Sequence, residues 1–311
     1  MRPVASKLVT AVAGATVAVL VGSGCEAGVH GTPPPPAESP VVVIAPQGRM
    51  APLPEAPPPA AFEGLQDRTK RATADAAAAG AEITVTVLDR NSGQVVSNGN
   101  AMAMPMASVV KVFIADDLLL QVAEGKTQLS PEDRQALDVM LRASDDSAAE
   151  VFWSRGGGSE IIARIKARYG LGATTAPYNG RWFNTLSTTA DLVRYYDMLL
   201  SGAGGLPAEQ ADIILSDLAA STPTAPDGTV PGGVYPQRFG IPDGLYAEPV
   251  AVKQGWFCCW NGGNWVHLSS GVIGPNHRYV MAIGSMQPTD DVTARDTITQ
   301  AVKTMFPGGR I

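Results

Sequence analysis

Strand-forming segments lie at both ends of residues 62–311, and helix-forming segments lie between them. The predicted strands are 83–88, 94–98, 250–255, 265–272 and 279–285. Strands from the two ends bury their apolar faces by sharing one sheet around the helical insert. This order predicts a mixed α/β (α+β) domain: an antiparallel sheet from the N- and C-terminal segments, flanked by helices, with an all-helical middle subdomain. We expect the functional cleft between the two parts.

Helical periodicity and end signals place the helices within the same range. The predicted helices are 62–79, 108–120, one starting at 131, 147–153, 158–169, 190–200, 208–218 and 291–305. The clearest start is Ser130-Pro131-Glu132-Asp133, which supplies a cap, a proline at the first position and an acidic first turn. No internal repeat interrupts the order, so we predict one folded domain over 62–311.

Composition and net charge limit which classes of partner and cofactor we expect. A hydrophobic content of 45% supports a normal core. A net charge of −6, without clustered lysine and arginine, excludes nucleic acid as the partner. The adjacent Cys258 and Cys259 lack the usual metal-ligand spacing and have no histidine near them in sequence, so we predict no metal site and no cofactor. We expect a monomer.

The N-terminus predicts export from the cytoplasm. Arg2 and Lys7 precede the apolar stretch 8–21, which is too short to span a bilayer comfortably. The segment Gly22-Ser23-Gly24-Cys25 then resembles a bacterial lipobox, although the family usually has leucine where Gly22 stands. The resemblance implies a lipoprotein signal peptide over 1–25 and a lipid anchor to the cell membrane at Cys25. An ordinary secretory signal with an incidental cysteine is the alternative.

Residues 26–61 predict a spacer between this anchor and the domain. They contain eleven of the 25 prolines and almost no aromatic residue. We therefore expect a stiff, disordered linker.

The adjacent cysteines Cys258 and Cys259 leave two interpretations open. Their Cα atoms should lie about 3.8 Å apart, whereas ordinary disulfides prefer about 5.5 Å. Two free thiols are the favoured interpretation, and a strained vicinal disulfide in an oxidising compartment is the other.

Ser108 and Lys111 are the first candidates for chemistry. Three positions apart on a helix, their side chains share one face, so the amine can lie close to the hydroxyl. A lysine that loses its charge can act as the base for such a serine, and a helix N-terminus favours the developing charge.

Three motifs in order resemble those of the class A β-lactamases and penicillin-binding proteins. Ser108-Val109-Val110-Lys111 follows a strand hairpin, as does that family's Ser-x-x-Lys. Ser144-Asp145-Asp146 is similar to its Ser-Asp-Asn, and Lys253-Gln254-Gly255 is similar to its Lys-Thr-Gly. The resemblance covers about residues 62–308 and implies a β-lactamase-like domain.

The resemblance implies a role for each matched residue. Ser108 would be the nucleophile, Lys111 its activator and Ser144 a proton relay to the leaving group. Lys253 would face the substrate carboxylate, and the backbone amides of Ser108 and Trp256 would form the oxyanion hole. The residues implied to bind substrate are Asp146, Gln254, Gly255 and Trp256.

Departures from the family imply that β-lactam hydrolysis is inefficient. The segment 180–184 resembles the Glu-x-x-Leu-Asn loop that activates the deacylating water, but Gly180 replaces the glutamate, and residues 161–190 contain neither Asp nor Glu. Asp146 replaces an amide and would repel a substrate carbonyl. Gln254 replaces a hydroxyl residue, and the 36 residues from Ser108 to Ser144 are fewer than the family's usual spacing.

Other residues favour structural roles. Trp256, Trp260 and Trp265 could stack on sugars, but strand aromatics are more often core. His267 is interpreted as a strand residue, because a Gly-x-Ser-x-Gly elbow is absent.

Two functions remain. One is a slow serine hydrolase or acyl-transferase of the cell envelope, taking a peptide-like or ester substrate and binding peptidoglycan-derived or β-lactam-like ligands. The alternative is a non-catalytic binding module, a pseudoenzyme that uses the altered cleft for a wall fragment or an envelope partner.

Overall fold

The computed structural model describes residues 62–311. The signal peptide predicted over 1–25, its lipidation site Cys25 and the linker predicted over 26–61 lie outside the described residues. Within 62–311, no helix is both long and apolar enough to cross a membrane.

One antiparallel sheet organises the described chain. Its five strands run in the spatial order β2-β1-β9-β8-β7, so the N-terminal hairpin joins the C-terminal strands through the pairing of β1 with β9. These strands are β1 (Glu82–Asp89), β2 (Gln94–Ser97), β7 (Val250–Trp260), β8 (Asn264–Ile273) and β9 (Tyr279–Gln287). Two short pairs complete the strands: β3 (Met104–Pro105) with β4 (Leu186–Ser187), and β5 (Thr224–Pro226) with β6 (Val234–Pro236). The predicted antiparallel sheet from both ends of the domain is confirmed.

Nine helices accompany these strands in residues 62–311. They are α1 (Leu65–Ala78), α2 (Lys111–Ala123), α3 (Pro131–Arg142), α4 (Asp146–Arg155), α5 (Ser159–Tyr169), α6 (Thr189–Ser201), α7 (Ala208–Ala219), α8 (Ile241–Gly244) and α9 (Asp291–Met305). Short 3₁₀ turns occur at Ala107–Val110, Trp182–Asn184, Pro275–His277 and Pro307–Gly309. Helices α2–α7 form the predicted helical middle.

The sheet separates two hydrophobic cores. Helices α1 and α9 pack together on one face, and the other face packs on the helical middle. Strand β9 shows the division residue by residue: Val280 and Ala282 belong to the core of the helical middle, and Met281 and Ile283 belong to the core under α1 and α9. Side chains of a strand alternate between faces, so a sheet buried on both sides needs this continuous apolar run.

Most predicted elements are present, with shifts at their ends. The predicted cap of α3 is a full capping box, in which Ser130 Oγ accepts from the Asp133 amide and the Asp133 carboxylate accepts from the Ser130 amide. Strand β7 continues to Trp260, five residues beyond the predicted end. Ser108 lies in a 3₁₀ turn immediately before α2 rather than in the α-helix itself. The two-residue and three-residue strands were not predicted, because they are too short to show a period.

Candidate active site

A tight turn positions Ser108 at the junction of sheet and helices. The preceding residue, Ala107, has a φ of 46°, in the left-handed region that non-glycine residues seldom adopt. The Met106 amide donates to the Thr185 carbonyl at 2.8 Å, which ties the turn to the start of β4. From the other side, a Cβ at Gly255 would lie 2.4 Å from the Met106 carbonyl oxygen. The turn therefore fits against β7 only because residue 255 is glycine.

Lys111 is fully buried directly under Ser108. Its Nζ donates to Ser108 Oγ at 2.9 Å, to the Ser144 carbonyl at 2.6 Å and to Ser144 Oγ at 3.2 Å. A fourth contact, at 2.5 Å, joins Nζ to Oδ1 of Asp146. The predicted closeness of the serine hydroxyl and the lysine amine is thus present, and the other partners come from the α3–α4 connection and the first residue of α4.

Ser144 links the two buried lysines. Its φ of 58° turns both its carbonyl and its hydroxyl toward Lys111, at the corner between α3 and α4. Lys253, on β7, donates to the same Ser144 Oγ at 2.8 Å. A continuous hydrogen-bonded chain therefore runs from Ser108 through Lys111 and Ser144 to Lys253.

Burial changes the acidity of both lysines. The pKa of Lys111 lies below its ordinary value because burial disfavours the ammonium, while the Asp146 carboxylate opposes this shift. The pKa of Lys253 is lowered well below its ordinary value, first by burial and then by repulsion from Lys111. Lys253 has no carboxylate in hydrogen-bond contact in the described structure. The Asp146 carboxylate thus opposes the effect of burial at both lysines, by direct contact at Lys111 and from a distance at Lys253.

Asp146 lies at the first position of α4 with its carboxylate in the cleft. The side chain is 51% exposed, although its partner Lys111 is fully buried. The other carboxylate oxygen, Oδ2, lies beside Gly228 of the β5–β6 hairpin, where an added Cβ would be only 2.6 Å away. This carboxylate thus contacts the buried lysine on one side and the hairpin on the other.

Trp182 covers the site. It belongs to the segment 180–184, in which Gly180 stands where the related loop has its glutamate. Lys111 Nζ lies 4.8 Å from the centroid of the indole ring, a cation–π distance. The indole Nε1 donates to Oε2 of Glu150 at 3.1 Å, and the neighbouring Phe183 packs edge-on against the ring at 5.2 Å. An apolar ring therefore lies against the Lys111 amine.

The third motif divides its residues between the two faces of β7. Lys253 points toward Ser144, whereas Gln254 is buried on the opposite face, where its Nε2 donates to the Phe239 carbonyl. Gln254 is not among the described residues that line the cleft. Trp256 does line it, and it also stacks on Tyr235 with ring centroids 3.5 Å apart.

The cleft beside Ser108 encloses about 210 Å³. Its walls include Trp182, Phe183, Trp256, Phe257, Pro226 and Thr229. Cys258 also lines it, and it is bonded to Cys259 in a vicinal disulfide. The favoured interpretation of two free thiols is therefore wrong, and the alternative disulfide is present.

Two structural interpretations agree with the packing. Trp256 and Trp265 pack against the core under α1 and α9, and Trp260 packs against the core of the helical middle. His267 is fully buried in β8, and its Nε2 lies 2.7 Å from the Tyr235 hydroxyl. Burial lowers the pKa of His267 to about 3, so its imidazole is neutral.

Several cleft residues were not predicted from the sequence. Among them are Phe183 and Phe257, together with the β5–β6 hairpin at Gly228 and Thr229. Trp182 and Phe183 could have been recognised as candidate cleft residues, because two adjacent aromatic residues are unusual in a polar loop. The β5–β6 hairpin could not be recognised from the sequence, since its strands have only three residues each.

Solved structures share this arrangement of sheet and helices. The β-lactamase from Streptomyces albus G matches with a TM-score of 0.59, over 77% of this chain and 98% of that chain, at 19% identity. A variant of PBP-A, in an acyl-enzyme complex with penicillin G, matches with a TM-score of 0.62, over 78% and 95%, at 18% identity. The family model described as the beta-lactamase enzyme family matches residues 66–134. The fold is therefore that of the class A β-lactamases.

Sequence relatives narrow this class further. The chain is 62% identical over 258 residues to the protein named "Putative lipoprotein LppW" in Mycobacterium tuberculosis, and equally to that of Mycobacterium bovis. The match covers 83% of this chain and 80% of each relative. The chain belongs to the LppW family.

Proposed function

We propose that this protein is a lipid-anchored envelope protein whose domain, residues 62–311, forms a long-lived acyl-enzyme at Ser108. The hydrogen-bonded chain from Ser108 through Lys111 and Ser144 to Lys253 carries the proposal. Such a chain gives a serine both a base and a path for its proton. Lipid attachment at Cys25 is supported by the lipobox resemblance and by the name of the LppW relatives.

Acylation uses the site as follows. Neutral Lys111 accepts the proton of Ser108 as Oγ attacks the substrate carbonyl, and the amides of Ser108 and Trp256 bind the oxyanion. Ser144 then passes its hydroxyl proton to the leaving group and regains one from protonated Lys111, and the leaving group departs as the ester to Ser108 forms. Lys253 holds the Ser144 hydroxyl in place.

Deacylation is slow for two reasons. Residues 161–190 contain no carboxylate that could activate water. In addition, the Trp182 ring lies against Lys111 and excludes water from the amine that could otherwise act as the base. The product is therefore an acyl-enzyme that hydrolyses slowly or transfers its acyl group to a better acceptor, and efficient β-lactam turnover is not expected.

Intact-protein mass spectrometry after incubation with a neutral alkyl fluorophosphonate tests this function. We expect one fluorophosphonate adduct on the native protein and none on Ser108→Ala. Ser147→Ala is the control, because Ser147 is an exposed serine on α4, and this variant should still form one adduct. No adduct on the native protein, or an adduct that persists in Ser108→Ala, would overturn the proposal.

A binding module without catalysis is the second candidate. Its support is the ion pair at 2.5 Å between Asp146 and Lys111, which favours the protonated lysine and so opposes its action as a base. This candidate predicts no adduct in the same experiment, together with an unchanged biological role for Ser108→Ala.

A further inference from the structure

The cleft beside Ser108 has an unusual charge distribution for a site that acts on acyl compounds. Asp146 is the one described lining residue with a charged side chain, and none of the described lining residues is lysine or arginine. The remaining wall is largely apolar and includes Phe183, Trp256 and Phe257. A ligand in this cleft therefore meets aromatic rings and a single negative charge.

The two lysines of the site are not available to an anionic ligand. Lys111 is 0% exposed and Lys253 is 1% exposed. Nζ of Lys253 contacts Ser144, and Nζ of Lys111 contacts Ser108, Ser144 and Asp146. A substrate carboxylate could reach either amine only by displacing these partners.

Neither Gln254 nor Arg295 is among the described residues that line the cleft. The amide nitrogen of Gln254 donates to the Phe239 carbonyl on the opposite face of β7, and the Gln254 side chain is 4% exposed. Arg295, which contacts the Tyr235 ring, is paired with Asp291 at 3.1 Å. Tyr235 is not one of the described residues that line the cleft.

Asp146 is close enough to the reacting atoms to act on the acyl group. One lysine nitrogen contacts both Ser108 Oγ and Asp146 Oδ1, so the nucleophile and the carboxylate are two contacts apart. Lys111 must be neutral to accept the Ser108 proton, and in that state it no longer balances the charge of Asp146. A second carboxylate in the cleft would then be repelled through a partly apolar medium.

We propose that this cleft selects acyl donors with an aromatic or aliphatic acyl group that carries no negative charge, and that Asp146 is the residue that rejects a carboxylate. The inference rests on the proposed acylation of Ser108. It assigns the substrate class as neutral or cationic esters and amides, rather than the carboxylate-bearing compounds that an exposed lysine or arginine would bind.

A matched pair of esters tests this selection. The 4-nitrophenyl esters of 4-methylphenylacetic acid and 4-carboxyphenylacetic acid differ by a methyl group against a carboxylate. The rate of 4-nitrophenolate release gives the acylation rate constant for each. We expect the carboxylate ester to react at least about fivefold more slowly with the native protein, from charge repulsion across the cleft.

Two variants separate local from general charge effects. Asp146→Asn should bring the two rates within about twofold of each other, because a neutral amide replaces the carboxylate. A faster reaction of both esters, from a lower pKa of Lys111, cancels in the ratio. Asp67→Asn removes the same charge from α1 on the opposite face of the sheet and should leave the ratio unchanged. A native ratio below fivefold, or one that persists in Asp146→Asn, would overturn the proposed selection.

Binding measurements keep the selection testable if neither ester acylates the protein. The 4-nitroanilides of the same two acids are stable, and their affinities for Ser108→Ala can be compared by calorimetry. Weaker binding of the carboxylate compound by at least about fivefold would support charge selection even where the absence of acylation refutes the proposed function. Equal binding would refute the selection alone.

Discussion

Oδ1 of Asp146 lies 2.5 Å from Nζ of Lys111, so the exposed carboxylate of α4 forms an ion pair with a lysine that has no solvent exposure. Two opposing effects act on the pKa of the Lys111 amine. Burial lowers the pKa of Lys111, and Asp146 raises it again. How much neutral lysine is available to Ser108 at a given pH depends on this balance.

Asp146→Asn should shift the pH dependence of acylation to lower pH. The rate rises with pH as Lys111 loses its proton, and removal of the carboxylate lowers the pKa of Lys111 further. The rising limb should therefore move down by about one pH unit or more, measured as fluorophosphonate modification rate against pH. Asp145→Asn, at the cap of the same helix, should give a smaller shift in the same direction, because Asp145 is the weakest contributor. An unchanged or upward shift in Asp146→Asn would show that Lys111 is not the base.

Trp182→Leu should shorten the lifetime of the acyl-enzyme. The indole ring lies 4.8 Å from Lys111 Nζ, and a smaller side chain leaves room for water beside the amine. We expect the half-life of the adduct from a neutral aryl ester to fall by about tenfold or more, which corresponds to about 1.4 kcal/mol in the barrier. Mass spectrometry of the decaying adduct measures it.

Phe183→Leu is the matched control for this change. Phe183 lines the same cleft, but its ring packs on Trp182 rather than on Lys111. Its acyl-enzyme should keep a half-life within about twofold of the native value. If both variants accelerated deacylation equally, general loosening of the cleft would replace the specific role of Trp182.

Gly255→Ala should destabilise the protein and slow acylation together. The new Cβ would lie 2.4 Å from the Met106 carbonyl and 3.1 Å from the Ser108 amide, so the nucleophile turn must move. We expect the free energy of unfolding to fall by about 1–3 kcal/mol, as for other overpacked sites. Gly172→Ala, where no atom lies within 4 Å of the added Cβ, should change it by less than about 0.5 kcal/mol in the same urea titration.

His267 should make the protein less stable as the pH falls. Its folded pKa of about 3 lies below the unfolded value of about 6.5, so the unfolded chain binds the extra proton between these values. Stability from the neutral imidazole is therefore complete above about pH 6.5 and is lost progressively toward pH 3, by up to about 1.4 kcal/mol per pH unit. His267→Gln should flatten urea-unfolding stability against pH over this range. An equally steep curve in that variant would assign the acid sensitivity to other groups.

Spacing within one helix predicted which side chains of the site lie together, but the contacts between different helices could not be predicted from the sequence. The three-residue spacing of Ser108 and Lys111 depends on helix geometry alone, so the closeness of their side chains could be predicted. The sequence also predicted that Asp146 would oppose a substrate carbonyl, but its contact with Lys111 joins residues 35 apart on different helices. No periodicity encodes such a contact.

The direction of side chains on a strand also limited what the third motif, Lys253-Gln254-Gly255, could predict about the cleft. Lys253 and Gln254 are neighbours on β7, and strand alternation sends them to opposite faces. Family resemblance placed both at the substrate, whereas alternation alone would have assigned only one of them to the cleft. For Cys258 and Cys259, the choice between thiols and disulfide depends on backbone geometry that residue types do not specify.

The left-handed backbone of Ser144 makes one residue responsible for two of the contacts to Lys111, through its carbonyl and its hydroxyl. A rotation at this corner would therefore withdraw both acceptors at once rather than one at a time. The position of the Lys111 amine therefore depends on the α3–α4 corner as well as on its own helix, although the corner lies 33 residues further along the chain.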